Sequence, residues 1–315
     1  VSGSCIDATL LWSPPGGFGF GTVQRMLAID PSGQNLYAID QNNSTTNMMI
    51  YRVPTSGAPA QVFASGLNWV VGVTVDSSNV YWLSTGDNTV YAQPVSGGKP
   101  RALATGQYFP SDIAVLDSST VYWGACDSTG STCDAWQMPV SGGSPTEVAS
   151  AEPEGIAVAS PNLFLAFPVG AGIIQSFPIN SGGANVEFDS GNLFYGVAAS
   201  PLYVAWYGVS TGSSGNNGVV RAMPSASLGV TGSTPTTLAV GQAPVSIALD
   251  SSYVYWANTG GSQAFNGSIV KAPLGGGSPT TLVSGVDPAS IVVDAKYVYW
   301  LGSDGAASGV FRTPK

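Results

Sequence analysis

The chain contains no histidine, and only 9% of its 315 residues are charged, against about 25% in an ordinary soluble protein. Without an imidazole there is no base for a Ser-His-Asp relay, which excludes serine hydrolysis of that kind. Zinc loses its usual nitrogen ligand too, and at most one unpaired thiol among three cysteines leaves its tetrahedral set incomplete. Lysine and arginine number 9 against 18 acids, a net charge of −9. Those bases are scattered, whereas nucleic acid demands clustered ones that displace counterions, so nucleic acid is excluded as a partner. An anionic membrane surface is disfavoured for the same reason. No apolar run approaches the roughly 20 residues that span a bilayer. No basic segment with an apolar core opens the chain, and the expectation is that any export signal has been removed. Apolar residues at helical spacing are absent. So is a glycine-rich phosphate loop leading into a helix; "PPGGFGFG" (14–21) leads into a strand and reads as the entry to the first repeat.

What is present is glycine, proline, serine, threonine and asparagine, the turn formers. They punctuate short alternating strands about every dozen residues, an all-β pattern. One phrase recurs: "SSNVYWLSTG" (77–86), "SSTVYWGACD" (118–127), "SSYVYWANTG" (251–260) and "AKYVYWLGSD" (295–304). Complete or degraded, the surrounding unit appears seven times. It begins with a short aliphatic strand, at 26–30, 73–76, 113–116, 156–159, 197–200, 247–250 and 291–294. A serine-rich turn and an aromatic strand follow, the latter carrying Ala38, Trp82, Trp123, Leu165, Trp206, Trp256 and Trp300 at its third position. A polar loop, a strand ending in proline, "SGG" and a last strand complete it.

A period of about 40–45 residues holding four short strands is the signature of a β-propeller blade. A four-stranded meander cannot bury both faces alone, so such units stack. Alternation sends Val and Trp of "VYW" to one face and Tyr to the other. The repeated tryptophan is therefore read as packing between blades; a ring of sugar-stacking tryptophans is the alternative. The fold expected is a single seven-bladed all-β propeller over 1–315, with four antiparallel strands per blade. Its blades fall at about 23–66, 67–106, 107–150, 151–191, 192–241, 242–285 and 286–315. The last unit stops after its third strand, and "ATLLW" (8–12) is expected to supply the fourth, placing Trp12 in blade seven.

The "VYW" strands, with "I-x-V-D" before and "P-x-S-G-G" after, resemble the YWTD and NHL-type repeats of extracellular propellers. The repeat-rich propeller proteins of secreting bacteria, the myxobacterial type among them, are similar. The resemblance implies a ligand- or protein-binding module; a few members of such families are lyases or lactone hydrolases. Streptogramin lyases of similar blade plan depend on a histidine base beside magnesium, and this chain has no histidine.

Cys126 and Cys133 bracket "CDSTGSTC", a loop whose ends meet if its flanks form a hairpin. A disulfide and an oxidising compartment are expected, with two free thiols as the alternative. Cys5 is left over, as a buried thiol, a lipid-attachment site or a cloning remnant. Long loops collect on one face, "QNNSTTN" (41–47), "STGSSGNNG" (210–218) and "TGGSQAFNG" (259–267) among them. Residues just before each first strand should set the channel mouth there: Gln24, Arg25, Asp112, Glu154, Tyr195, Ser246 and Ser290. Phe18, Phe20, Trp69, Tyr108, Phe109 and Phe194 lie further out as an aromatic rim. A polar centre rimmed by aromatics suits a peptide, protein or glycan ligand. Alternatively, Arg25 pairs with an acid across the channel and the aromatics pack under their own loops. Asp112 and Glu154 are candidate calcium ligands, or the carboxylate pair of a metal-assisted hydrolase or lyase. No other cofactor is expected. The chain is expected to be a monomer that is secreted, periplasmic or cell-surface; a purely structural surface protein is a further alternative.

Overall fold

The computed structural model describes residues 8–14, 25–41, 45–168, 172–179, 186–210, 217–260 and 265–315. Among them only Ser225–Ser227 form a helical turn, a 3-10 one, and no helix is long and apolar enough to cross a membrane. Everything else regular is strand. After β1 (Thr9–Trp12) come β2 (Leu27–Ile29), β3 (Asn35–Asp40), β4 (Met48–Pro54) and β5 (Gln61–Leu67). The next two meanders are β6 (Val70–Val75), β7 (Asn79–Ser84), β8 (Thr89–Pro94), β9 (Arg101–Thr105), and β10 (Ile113–Leu116), β11 (Thr120–Cys126), β12 (Cys133–Pro139), β13 (Thr146–Ala149). Then follow β14 (Gly155–Ala159), β15 (Asn162–Phe167), β16 (Ile173–Pro178), β17 (Val186–Ser190), and β18 (Asn192–Ala199), β19 (Tyr203–Ser210), β20 (Gly218–Pro224), β21 (Thr236–Gln242). The last strands are β22 (Pro244–Leu249), β23 (Tyr253–Asn258), β24 (Gly267–Pro273), β25 (Thr280–Val293), β26 (Tyr297–Ser303) and β27 (Ser308–Pro314).

Strands β2 to β21 make five antiparallel four-stranded sheets in chain order. The remaining strands form one sheet in the order β1-β27-β26-β25-β24-β23-β22. Within it β25 serves twice, pairing β24 through Thr280–Val286 and β26 through Asp287–Val293. Two compact units divide the chain: one holds Leu10–Pro153 with Ala307–Val310, the other Glu154–Ala306 with Phe311–Lys315.

Packing in each unit follows the two-residue alternation of the aromatic strands. In the first unit Val80 and Trp82 pack with Tyr37, Ile39 and Ile50 of the preceding sheet. Tyr81 and Leu83, on the opposite face, pack with Val121, Trp123 and Ala125 of the next. The second unit repeats the rule, with Trp206 against Phe164 and Ala166, and Trp256 against Ala205 and Tyr207. Trp82, Trp123, Trp206, Trp256 and Trp300 are all buried to within 1%. The recurrent tryptophan is therefore core. Truncating a residue of this size in a packed interior costs about 3–5 kcal/mol. Trp12, by contrast, is half-buried, its ring 4.2 Å from that of Tyr51.

Burying an indole leaves its N–H to be satisfied. Here the partner comes from the end of the preceding sheet. Trp123 donates to Gln107 (2.7 Å) and Trp256 to Gln242 (3.5 Å). Each glutamine follows a glycine at positive φ, Gly106 (71°) and Gly241 (69°), and turns its amide N–H back to a carbonyl two residues earlier. Elsewhere the same place is Leu67 after Gly66 and Val286 after Gly285. The indoles that would face those residues, Trp82 and Trp300, have no partner. Trp206 uses Asp189 instead, at 2.7 Å, on a carboxylate that also takes Arg221.

A second repeated device ties turn to strand. Asp76, Asp250 and Asp294 each accept two backbone N–H groups of the turn that follows. Their other oxygen accepts the hydroxyl of the tyrosine five residues on, Tyr81, Tyr255 and Tyr299, at 2.7–2.8 Å. Asp250 also meets Lys315 Nζ at 2.6 Å. Burial opposes its charge, but Lys315, the turn N–H groups and Tyr255 outweigh it and hold the carboxyl at about 2. Asp30 and Asp294 are lowered for kindred reasons. The third sheet departs from the pattern. One extra residue shifts Asp117 and Ser118 into the left-handed region, φ 39° and 55°, and Leu116 stands where the aspartate would be.

Two variants probe the indole acceptors and one the aspartate tie. Gln107→Leu should lower the unfolding free energy by about 1–2 kcal/mol, since a buried N–H loses its acceptor. Leu67→Gln should stay within about 1 kcal/mol of the parent, the new indole bond offsetting withdrawn apolar area. Urea melts check both. The depressed carboxyl of Asp250 lies below its unfolded value of about 3.9. Its contribution is therefore present above about pH 4 and lost as pH falls toward 2. Asp250→Asn should cost about 1–2 kcal/mol at pH 7 and flatten that acid limb; an unchanged limb in acid melts would refute the assignment.

Candidate functional site

At one end of the first unit, the loops between second and third strands meet the connections that lead to the next sheet. Trp69 N–H donates to Thr45 O at 2.7 Å, and Trp69 O accepts from Thr85 N–H at 2.9 Å. Gln107 N–H donates to Asn88 O, and Tyr108 exchanges both backbone bonds with Cys126. The "DSS" and "SGG" turns lie at the other ends of the same strands, joined by the Ser77–Ser118 hydroxyl contact and the Arg101–Val140 bond.

Trp69 and Phe109 stand out at the loop end. Each lies three residues after the glycine that ends its sheet, Gly66 and Gly106, so they hold equivalent places in successive repeats. Both have left-handed backbone, φ 39° and 47°, a conformation that costs a bulky residue on the order of 1–3 kcal/mol. Both are nevertheless exposed, 47% and 58%. Pinning explains how Trp69 is held: its N–H and C=O are both taken by neighbouring loops. A Cβ on Gly130 would sit 3.4 Å from the Phe109 ring, so one side of that ring rests on the 127–132 loop. In the second unit Phe265 repeats the combination, φ 58° and 43% exposed, beside Gly305. Sequence reading passes over Phe265 because nothing in "QAFNG" announces a positive φ on phenylalanine.

The other nominated residues are placed differently. Arg25 and Asp112 form a forked ion pair, Nε–Oδ1 2.8 Å and Nη2–Oδ2 3.1 Å, and Ile113 N–H also donates to Oδ1. Asp112 is 3% exposed, and both its carboxylate oxygens accept from Arg25. Ser246 is buried and accepts from Ile291 N–H at 3.1 Å; Ser290 is buried as well. Ser246 thereby ties two adjacent inner strands. Tyr195 is half-buried and packs against the core around Tyr207 and Trp256, Tyr108 is half-buried, and Glu154, also half-buried, belongs to the other unit. Phe194 corrects the expected rim. It is fully buried among Phe164, Val197 and Trp206, because a bulge between Phe194 and Gly196 turns it inward over Gly208. Phe18, Phe20, Gln24 and Cys5 lie outside the described residues, as do positions 42–44 of the first long loop.

The expected disulfide is present: Cys126 and Cys133 face each other across β11 and β12, with sulfurs 2.06 Å apart. Closing a loop this short stabilises by roughly 2–3 kcal/mol in the chain-entropy picture. Glu152 brings a carboxylate oxygen to 3.4 Å from Cys126 Sγ.

No protein-family model and no curated protein sequence matches the chain. Solved structures do. The chain is similar to the β-propeller domain of the Trilobed protease from Pyrococcus furiosus, with TM-score 0.64, 8% identity, and 91% of each chain covered. It is similar to a catalytically inactive histidine-to-alanine variant of virginiamycin B lyase from Staphylococcus aureus with quinupristin, with TM-score 0.65, 13% identity, 92% of this chain and 94% of that one. A chain of the Mitotic Checkpoint Complex matches at TM-score 0.70 and 13% identity, over 99% of this chain and 92% of that one. At such identities the likeness is one of fold, and the fold is that of an all-β propeller.

Proposed function

We propose that this chain is an extracytoplasmic propeller module, seven blades closed by β1, that binds a ligand without transforming it. The ligand, a peptide or protein segment or a glycan, lies across the loop end of the Leu10–Pro153 unit, against Trp69 and Phe109. One observation carries this reading. Two large aromatic rings occupy equivalent places, on backbone strained for their size, and remain exposed. Folding alone gains little from either, and such strain recurs where a surface is shaped for a partner. The disulfide suits an oxidising compartment. The similar structures include a protein from a multi-protein complex and a lyase inactivated by loss of a histidine. This chain has no histidine, and Arg25 engages Asp112, one of the two carboxylates, with Glu154, considered for metal-assisted chemistry.

Immobilised glycan and peptide arrays, followed by titration of the best binder, test the proposal. Trp69→Asn and Phe109→Asn should each weaken binding at least tenfold. Stability should hold or rise by up to about 1 kcal/mol, because asparagine tolerates the left-handed region. Arg25→Ala should behave oppositely, costing about 2–3 kcal/mol of stability as the buried Asp112 loses its charged donors, with affinity retained. Binding kept in both aromatic variants would refute the proposal.

A further inference from the structure

Both exposed rings of the first unit come with a carboxylate. Gly86 packs so closely on the connection before β6 that a Cβ there would lie 2.6 Å from the Cβ of Asn68. This sets Asp87 beside Trp69, where Asn68 donates to its Oδ1 at 2.9 Å and Ser84 to its Oδ2 at 3.0 Å. Phe109 rests on Gly130, the last residue of a turn that Asp127 opens, Gly130 N–H donating to Asp127 O at 3.1 Å. Asp127 Oδ1 takes the Thr129 hydroxyl and the N–H groups of Thr129 and Ser131. These bonds, the Thr129 hydroxyl foremost, hold its carboxyl below the usual range. Both aspartates are exposed. Phe265, in the other unit, repeats the association, for it lies against Gly305, whose chain neighbour is the exposed Asp304.

Charge is also sorted between the two ends of the first unit. Its four bases are Arg25, Arg52, Lys99 and Arg101. Arg25 is held by Asp112. Arg52 and Arg101 donate to Val95 O and Val140 O, at the turns opposite the loop end, and Lys99 follows the first of those turns. The loop end holds acids instead. Besides Asp87 and Asp127 it has Glu152, 3.4 Å from Cys126 Sγ, and Asp134, opposite Ala125 near the end of β11. Asp134 is 7% exposed and accepts no hydrogen bond among the described residues. Burial, then the charges of Glu147 and Asp127, push its carboxyl up. A carboxylate so deep normally has a cation beside it; here its charged neighbours are acids.

We infer that the partner of this loop end is cationic, a lysine- and arginine-bearing peptide segment lying across Trp69 and Phe109 beside Asp87 and Asp127. The inference rests on the site proposed above and narrows its ligand. An aromatic face attracts a cation within about 6 Å of its centre, and a guanidinium also stacks on it. A neutral sugar would gain from the ring faces but nothing from unopposed negative charge. Carboxylates at an exposed rim act mainly on association rate and on the choice of partner, while the rings supply the contact.

The full-length protein is titrated with short fluorescent peptides in which serine alternates with arginine, lysine, glutamine or glutamate. The arginine peptide should bind at least tenfold tighter than the glutamine one, and the glutamate one should not bind. Raising salt from about 0.1 M to about 1 M shortens the screening length from about 10 Å to about 3 Å. This should weaken the arginine peptide at least fivefold, through slower association, in a measurement that needs no variant. Asp87→Asn and Asp127→Asn should each weaken it by about threefold to tenfold. Asp117→Asn removes the same charge from an exposed left-handed turn residue at the opposite end, where asparagine is tolerated, and should change nothing. Equal affinity for the arginine and glutamine peptides, indifference to salt, or an equal loss in Asp117→Asn, which would reveal attraction by net charge alone, overturns the inference. A neutral glycan or glutamine peptide that binds best and still needs Trp69 and Phe109 overturns it too, while leaving the site in place. An arginine peptide undiminished in both Trp69→Asn and Phe109→Asn sinks the site and the inference together.

Discussion

Two-sided burial of a four-stranded sheet is the constraint on which the rest depends. Each sheet is apolar on both faces, with Val and Trp on one and Tyr on the other where the aromatic strand reads "VYW", and neither face can meet water without losing several kcal/mol. Both are covered when the tryptophan face of one sheet lies on the tyrosine face of the one before, as Trp82 does on Tyr37 and Trp256 on Tyr207. The same packing brings the loop ends of neighbouring sheets together, so that Thr45, Trp69 and Thr85 come within hydrogen-bonding distance. Any surface built there inherits its rigidity from the aromatic layers beneath it.

Apolar periodicity made the strands and their facing legible in the sequence, because alternation and turn residues report directly on burial. "VYW" names its own two sides. The disulfide was legible for a related reason: the hairpin sets which residues oppose. Side-chain direction beyond a bulge was not. Phe194 and Tyr195 are adjacent near the start of β18, and only the displaced register of β18 against β19 decides that phenylalanine turns inward. Backbone sign was equally hidden. Glycine advertises positive φ at Gly66 and Gly106, but nothing local announces it at Trp69, Phe109 and Phe265; at Trp69 the neighbouring loops fix the peptide groups on both sides, a tertiary effect.

Scarcity of charge shapes how charge is used. Arg25, Arg221 and Lys315 are each drawn to a partly or fully buried aspartate, Asp112, Asp189 and Asp250. Such pairs hold segments in place and contribute little field at the surface.

The indole acceptors have a consequence for how such a chain can grow. Gln107 follows the last strand of the sheet before that of Trp123, and Gln242 ends the sheet before that of Trp256. A copied sheet therefore takes its acceptor from whichever sheet comes to precede it, and where that sheet ends in Leu67 or Val286 the following indole, Trp82 or Trp300, is left without one.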